Sequence, residues 1–251
     1  MSLQSNVEGL IAHWRTTTAG YNAASTRLED QSGNGYHLPL ETGTPDFTQT
    51  KDGHTGWKMH GDSYFSFNDR NGHPANPMPS RFTVVQVLHT NVNAGEQFYP
   101  FFMGYRAFAG TDDPTWETPT DTVEGTVNRA LRARLHGTNL TFGDNTFGIH
   151  TATFTSNQWN VFVYVWEPIG GFRKIGVNTH VLTDDGGGPT QQRNLLANDE
   201  MRLGIKAGLG TITTSGGESL TSLQTMVWSG DVTDDPAFAT LITALVADPS
   251  T

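Results

Sequence analysis

Acidic side chains are the first candidates for chemistry in this sequence. Retaining glycoside hydrolysis needs two carboxylates roughly 5 Å apart, which a Glu-x-Asp-x-Glu strand would supply because alternate side chains share a face. No such triplet occurs. Turn-like segments, where Asp caps turns and helices, hold Asp69, Asp112, Asp113, Asp184, Asp185, Asp234 and Asp235. We therefore expect neither hydrolase nor lyase activity from paired carboxylates, while an enzyme with carboxylates on non-adjacent strands stays an open alternative.

Other catalytic motifs are also incomplete. Ser63 in Gly61-Asp62-Ser63 resembles an esterase nucleophile, but that chemistry needs a late His with an acid three residues before it. The last histidine, His180, has no such acid. The chain has nine His and no Cys, and it lacks His-Glu-x-x-His, so we expect no catalytic zinc. The prediction is a protein that is not an enzyme.

One loop could bind a metal ion. In Asp30-Gln31-Ser32-Gly33-Asn34-Gly35, Asp30 and Asn34 offer the hard oxygen ligands that Ca²⁺ prefers. The same segment is equally typical of an Asx turn with glycines at positive φ. Both interpretations stand, with Asp30 and Asn34 as the predicted calcium ligands.

The longest irregular stretch, residues 106–127, is the predicted ligand-binding loop, because long loops in compact folds often carry function. A sugar ring packs on an aromatic face, and acidic, amide or guanidinium groups bind its hydroxyls. Trp116 is the leading aromatic platform, although it could instead fold back onto its own loop. The predicted carbohydrate-binding residues are Tyr105, Arg106, Asp112, Asp113 and Trp116.

The elements that must position these residues are predicted to be strands. Hydrophobic residues make up 35% of the chain and Gly numbers 28, and the apolar residues come in short runs closed by turn formers. Strands are expected near residues 10–14, 64–67, 82–89, 98–105, 130–136, 140–142, 149–155, 159–167, 172–177, 201–205 and 222–228. The Asp235-Pro236 pair predicts the start of one helix, whose apolar stripe runs from Phe238 to Leu245. No linker divides the chain, so a single domain over residues 1–251 is expected.

Three tryptophans in apolar strands are predicted to be core residues. Trp14, Trp159 and Trp228 each lie within a strand-like run. Large aromatics in such positions usually fill the space between two sheets. We expect all three to lie between the sheets of a sandwich.

The order of motifs along the chain resembles the laminin-G-like, concanavalin A-like lectin and glucanase jelly-roll superfamily. Two positions depart from that pattern: Asn160 stands where His is usual, and no Gly follows Asn178. The resemblance implies an all-β jelly-roll sandwich of two antiparallel sheets with a short C-terminal helix, and a structural calcium ion of the kind that such domains often carry. The motifs that carry it are Leu10-Ile11-Ala12-His13-Trp14, Asp30-Gln31-Ser32-Gly33-Asn34-Gly35, residues 56–67, Phe82-Thr83-Val84-Val85-Gln86-Val87, residues 157–164, Ile175-Gly176-Val177-Asn178, Leu203-Gly204-Ile205 and residues 223–228.

Charge and targeting features narrow the expected partners. Fifteen basic residues against 25 acidic ones give a formal charge of −10, which repels nucleic acid and anionic lipid. The chain as given shows neither a secretory signal nor a membrane span, so no membrane insertion is expected. We predict a non-catalytic, lectin-like protein, extracellular or virion-associated, that acts as a surface adhesin of a phage or phage-derived particle and binds a cell-surface polysaccharide. The alternatives are a structural or assembly protein that contacts other particle proteins, and a polysaccharide hydrolase or lyase of the same fold.

Overall fold

The computed structural model describes residues 3–59, 63–67, 78–79, 81–91, 97–104, 131–144, 148–167, 172–184, 200–206 and 219–251. Within these residues the chain forms strands β1 to β17 and one α-helix, α1 (Pro236–Ala247). The strands are β1 Leu10–Arg15, β2 Tyr21–Asn22, β3 Arg27–Leu28, β4 Leu38–Thr42, β5 Asp46–Lys51, β6 His54–Met59, β7 Tyr64–Phe67, β8 Phe82–Asn91, β9 Gln97–Gly104, β10 Leu131–His136, β11 Asn139–Asp144, β12 Gly148–Thr153, β13 Gln158–Glu167, β14 Phe172–Val177, β15 Thr183–Asp184, β16 Glu200–Lys206 and β17 Ser219–Ser229.

The strands build two antiparallel sheets. Sheet I has eight strands, of which seven follow the order β15-β14-β13-β8-β17-β6-β5. The eighth, β1, pairs with the segment of β17 that comes after the segment paired with β6. Sheet II has nine strands in the order β12-β11-β10-β9-β16-β7-β4-β3-β2. The predicted all-β sandwich of two antiparallel sheets with a short C-terminal helix is confirmed.

The main core lies between the two sheets. Alternate residues of each strand point into it, because successive side chains of a strand face opposite ways. The ring of Trp57 from sheet I packs where Gly204 of sheet II has no side chain. Further large side chains of this core are Trp14, Phe65, Phe67, Phe101, Phe142, Phe162 and Tyr164.

A second core lies between sheet I and helix α1. The side chain of Asp235 accepts a hydrogen bond from Ala237 N (2.8 Å) and caps the helix, and Pro236 occupies its first turn. The helix buries Phe238, Leu241, Ile242 and Leu245 against the outer face of sheet I. Strand β8 is buried along both faces for this reason, which explains its almost continuous apolar sequence.

Two of the three tryptophans differ from the prediction. Trp14 lies between the sheets as expected. Trp228 is fully buried but belongs to the second core, edge-on to Phe238 with ring centroids 5.7 Å apart. Trp159 is half-buried on the same outer face, where its Nε1 donates to Lys51 O (3.1 Å). Alternation along β13 and β17 assigns both residues to the face that the helix covers.

Most predicted elements match the structure. The eleven predicted strands agree with observed ones to within three residues at each end, and helix α1 begins at Pro236 as predicted. The sequence analysis missed β2 to β6 and β15, so Asp184 ends a short strand instead of lying in a turn. The described residues contain no helix with the length and hydrophobicity of a membrane span.

Candidate functional site

The predicted carbohydrate-binding residues lie outside the described residues. They are Tyr105, Arg106, Asp112, Asp113 and Trp116. Their assignment as carbohydrate-binding residues therefore stays a prediction.

Asp30 organises a loop next to the start of sheet I. Its Oδ1 accepts hydrogen bonds from His13 N (3.0 Å) and Ser32 N (2.9 Å). Its Oδ2 accepts from Ser32 Oγ (2.7 Å) and Tyr36 N (3.0 Å). Burial alone would raise the pKa of Asp30, but these hydrogen bonds outweigh it and lower the pKa. The carboxylate thus holds the loop in one shape.

Asn34 completes the same loop. Its Nδ2 donates to Leu10 O and Ile11 O, at 2.9 Å each, and Gly33 and Gly35 flank it at φ of +91° and +79°. These contacts match the Asx-turn interpretation of the segment. The part of the chain described by the structure holds no group of three or more His, Asp or Glu placed to bind a metal. Calcium at Asp30 and Asn34 stays a prediction.

The loop presents an exposed aromatic ring. Both backbone polar groups of Tyr36 are hydrogen-bonded: its N–H donates to Asp30 Oδ2, and its carbonyl oxygen accepts from Trp14 Nε1 (2.7 Å). The residue is nevertheless 39% exposed, and no other aromatic side chain of the described ranges is as open to solvent. A rigid backbone with a solvent-facing ring is a suitable platform for a planar or pyranose ligand.

A hydrogen-bonded cluster adjoins this loop and is centred on Glu29. Arg27 donates from Nε to Glu29 Oε1 (3.1 Å) and from Nη2 to Oε2 (3.3 Å). Asn22 Nδ2 donates to Oε1 (2.8 Å), and His37 Nδ1 lies 2.6 Å from Oε2. The hydrogen bonds from Arg27 and Asn22 are the main cause of the lowered pKa of Glu29. We call these four residues the Glu29 cluster.

The Glu29 cluster lies on the outer face of sheet II. Leu28 is fully buried in the main core, so Arg27 and Glu29 on either side of it point away from the core. Backbone pairing of Arg27 with Pro39 places β4 next to the cluster. The sequence analysis missed it because its members come from three separate segments, and only the strand register brings them together.

Polar and aromatic residues continue along this face toward the middle of sheet II. Arg202 lies between the core residues Met201 and Leu203 and therefore faces outward, with its guanidinium 4.6 Å from the ring centre of Tyr64. Arg202 pairs with Ser66, whose Oγ donates to Glu41 Oε2 (3.3 Å).

The outer face of sheet I is different in character. Its surface is apolar and covered by helix α1. At one end, His89 and His54 lie edge-on to Trp159, with ring centroids 5.3 and 5.9 Å away. His89 Nε2 is 3.4 Å from Asp52 Oδ2, while burial lowers the pKa of His89. Arg202 and Ser66 are only 2% and 0% exposed, so on the outer face of sheet II the polar groups that a ligand could reach are those of the Glu29 cluster.

Solved structures of similar shape are β-sandwich proteins. No protein-family model matches the sequence, and no curated protein sequence does either. The binding domain of botulinum neurotoxin serotype D is similar with a TM-score of 0.57 at 11% identity, over 97% of this chain and 53% of that chain. The chain thus spans about half the length of the toxin domain.

Two other structures show the same architecture. Domain 4 of AbnA, an extracellular arabinanase from Geobacillus stearothermophilus in complex with arabinotriose, gives a TM-score of 0.51 at 15% identity, covering 90% of this chain and 97% of that chain. Trypanosoma rangeli sialidase in complex with sialic acid gives 0.54 at 12% identity, over 97% of this chain and 33% of that chain. At these identities the likeness establishes the fold.

Proposed function

We propose that this chain is a non-catalytic carbohydrate-binding protein whose ligand surface is the outer face of sheet II and the adjoining Asp30 loop. One observation carries the proposal: an exposed tyrosine ring on a pinned loop adjoins a cluster of planar, mutually hydrogen-bonded polar side chains. Aromatic rings pack on the apolar face of a sugar, and planar polar groups bind its hydroxyls with defined geometry. The cluster is ordered before a ligand arrives, which lowers the entropic cost of binding.

The polarity of the two outer faces supports this choice of surface. Helix α1 occupies the outer face of sheet I, where Phe238, Leu241 and their neighbours form a dry core. The outer face of sheet II carries the partly exposed Glu29 cluster instead, whereas Arg202 farther along that face is buried. The side chains of Arg27, His37 and Glu29 are 36%, 32% and 25% exposed, so a sugar can reach this cluster from solvent.

The state of the carboxyl groups supports binding without catalysis. A general acid for glycoside cleavage needs a carboxyl group with a raised pKa. In the described ranges, each carboxyl group with a shifted pKa is shifted downward: Glu29, Asp30, Asp46, Asp231 and Asp248. These groups stay ionised near neutral pH and act as hydrogen-bond acceptors.

The similar solved structures support the same class of ligand. The arabinanase domain is in complex with arabinotriose, and the sialidase is in complex with sialic acid. A further similar structure is the binding domain of botulinum neurotoxin DC in complex with SialylT, with a TM-score of 0.59 at 10% identity. The fold is thus one on which sugar-binding sites occur.

The proposal is tested on a printed array of neutral oligosaccharides, acidic oligosaccharides and bacterial capsular polysaccharides. We expect retention of at least one glycan class and no release of reducing ends or unsaturated uronates from the same glycans. Separate thermal melts with Ca²⁺ and with chelator test the predicted ion at Asp30 and Asn34, because an ion bound only to the folded state would raise the melting temperature.

Two results would overturn the proposal. Absence of binding across the array removes the glycan-binding function. Product release that a single Asp or Glu substitution abolishes makes the protein an enzyme. Three points stay predictions from the sequence. They are the role of Trp116 and its neighbours, the cell-surface polysaccharide as ligand, and an extracellular or virion-associated location on a phage or phage-derived particle.

A further inference from the structure

We infer that Trp14, a fully buried core residue, is a positioning residue for glycan binding, because its indole N–H holds the backbone of Tyr36. The inference rests on the proposed glycan-binding function, and it assigns Tyr36 as a contact residue and Trp14 as the residue that orients it. Trp14 lies between the sheets with no exposed surface, whereas Tyr36 is 39% exposed. The hydrogen bond between them therefore links the interior of the sandwich to the proposed ligand surface.

The indole of Trp14 is a donor whose direction is fixed. Its ring packs among the residues of the main core, with its centroid 5.8 Å from that of Phe67. An indole N–H can only donate and has no rotatable bond of its own, so its direction follows from the placement of the ring. It donates to Tyr36 O at 2.7 Å, which is short for an N–H···O hydrogen bond. The close packing of the core therefore sets the position of the Tyr36 carbonyl.

A second hydrogen bond fixes the other side of the same residue. The N–H of Tyr36 donates to Asp30 Oδ2 (3.0 Å). Asp30 is in turn tied to β1, because its Oδ1 accepts from His13 N (3.0 Å) and its backbone forms a bridge with Trp14. The backbone has only two soft dihedrals per residue, so holding the N–H and the carbonyl of Tyr36 at once restricts both of them. The Cα–Cβ bond that carries the ring is thereby given one direction.

The loop needs these bonds because its own sequence restricts the backbone little. Gly33 and Gly35 both have positive φ, and glycine has the widest choice of backbone conformations. Asn34 between them fastens the loop to β1 as well, since its Nδ2 donates to two carbonyl groups of that strand. Tyr36 follows Gly35 directly, so a hold on Tyr36 itself is required to keep its ring in place.

Loss of the indole N–H should weaken glycan binding while leaving the contact ring present. A tyrosine that is already held in one orientation loses less conformational freedom when a sugar packs on it, so a freed loop binds less tightly. We expect Trp14→Phe to lower the affinity about three- to tenfold, the range that one hydrogen bond supplies. Tyr36→Ala removes the ring itself and should lower the affinity about thirtyfold or more.

The test is calorimetric titration of the intact protein and its variants with the oligosaccharide that the array retains most strongly. Trp57→Phe is the matched control for Trp14→Phe, because Trp57 is an equally buried tryptophan of the main core. Its Nε1 lies 3.4 Å from Ser63 Oγ and makes no contact with the Asp30 loop. Both variants should lose stability, and only Trp14→Phe should lose affinity at a temperature well below the melting transition.

A double-mutant cycle separates action through Tyr36 from a general effect on the fold. Once Tyr36→Ala has removed the ring, Trp14 has nothing left to orient, so adding Trp14→Phe should change the affinity by less than about twofold. A loosened core would instead weaken binding equally in both backgrounds. Hydrogen exchange of the Tyr36 amide, measured without glycan, should be faster in Trp14→Phe than in the unmodified protein or in Trp57→Phe.

Each other outcome overturns a specific claim. Unchanged affinity in Trp14→Phe, or equal losses in Trp14→Phe and Trp57→Phe, removes the positioning role and leaves Tyr36 as a contact. Unchanged affinity in Tyr36→Ala removes both roles and leaves glycan binding elsewhere on the chain. Absence of binding to any glycan overturns the proposed function and the positioning role together. A circular-dichroism melt of every variant identifies any loss of affinity that comes from unfolding.

Discussion

Gly204 is one of the positions at which the described structure leaves no room for a side chain. It has a φ of +77°, and a Cβ placed on it would lie 2.2 Å from Cη2 of Trp57. Both facts act against substitution, because the backbone is in the left-handed region and the Trp57 ring is fixed inside the main core.

We expect Gly204→Ala to lower the free energy of unfolding by about 2 to 4 kcal/mol, from core overpacking together with an unfavourable φ. Denaturant titration measures the change. Gly137→Ala is the matched control: Gly137 also has a positive φ of +56° but faces open space. Its cost should be about 1 kcal/mol, from the backbone alone. Equal losses in the two variants would mean that contact with Trp57 contributes nothing.

At the residue scale the sequence supplied part of the site. Asp30 and Asn34 were recognisable as a structured loop from local spacing, and the structure shows the hydrogen bonds of such a loop. The Glu29 cluster was not recognisable. Arg27 and Glu29 form an ordinary charged pair two residues apart, and nothing local indicates that Asn22 and His37 join them. That information lies in the pairing of β2, β3 and β4.

Helix α1 is the element with the most explicit sequence signal. Asp235 caps its first turn, and Pro236 follows at the position where a missing N–H costs nothing. The exposed neighbour Asp234 makes no cap.

Replacing the cap should cost stability in proportion to the lost hydrogen bond. We expect Asp235→Ala to lower the free energy of unfolding by about 1 kcal/mol, and Asp234→Ala to change it by less than about 0.5 kcal/mol. Thermal melting of the pair provides the comparison. A larger loss in Asp234→Ala than in Asp235→Ala would contradict the assigned cap.

The strands show why some elements were predicted and others missed. Apolar runs such as Tyr64–Phe67 and Phe172–Val177 are recognisable because half or more of their residues are buried or apolar. The hairpin of β5 and β6 has a polar first strand in which Phe47 is the only buried residue. Its turn, Asp52-Gly53, has φ of +46° and +82° and is a strong hairpin signal that the sequence analysis overlooked.

For the molecule as a whole, two buried histidines contribute to the loss of stability in acid at a higher pH than the carboxyl groups do. Burial lowers the pKa of His13, although its hydrogen bond with Gln224 opposes the shift, and burial also lowers the pKa of His89. Gln224 Nε2 donates to Pro249 O and Thr251 O, so its Oε1 accepts from His13 Nε2 (2.9 Å). The neutral histidine therefore belongs to a chain of contacts that holds the last residues.

A lowered histidine pKa means that the unfolded chain binds protons more readily than the folded one. Stability should therefore be fully present above the ordinary histidine value of about 6.5 and should fall as the pH drops below it. Melting temperatures measured from pH 8 to about pH 5 test this. His13→Gln and His89→Gln should each flatten the decline, whereas the more exposed His180→Gln should leave it unchanged. A melting temperature that rises toward pH 5 would contradict the assignment.

Because helix α1 covers sheet I, the two outer faces of the sandwich differ, and this difference determines which side should be attached to a solid support. The chain has no cysteine, so Val246→Cys, at an exposed position of the helix, would create one unique attachment point. A bead or sensor coupled there would hold the helix side and turn the Tyr36 loop and the Glu29 cluster toward the solution. Coupling through the opposite side would bury those same residues against the support. The protein should therefore bind ligand when it is attached through the helix and lose binding when it is attached through the opposite side.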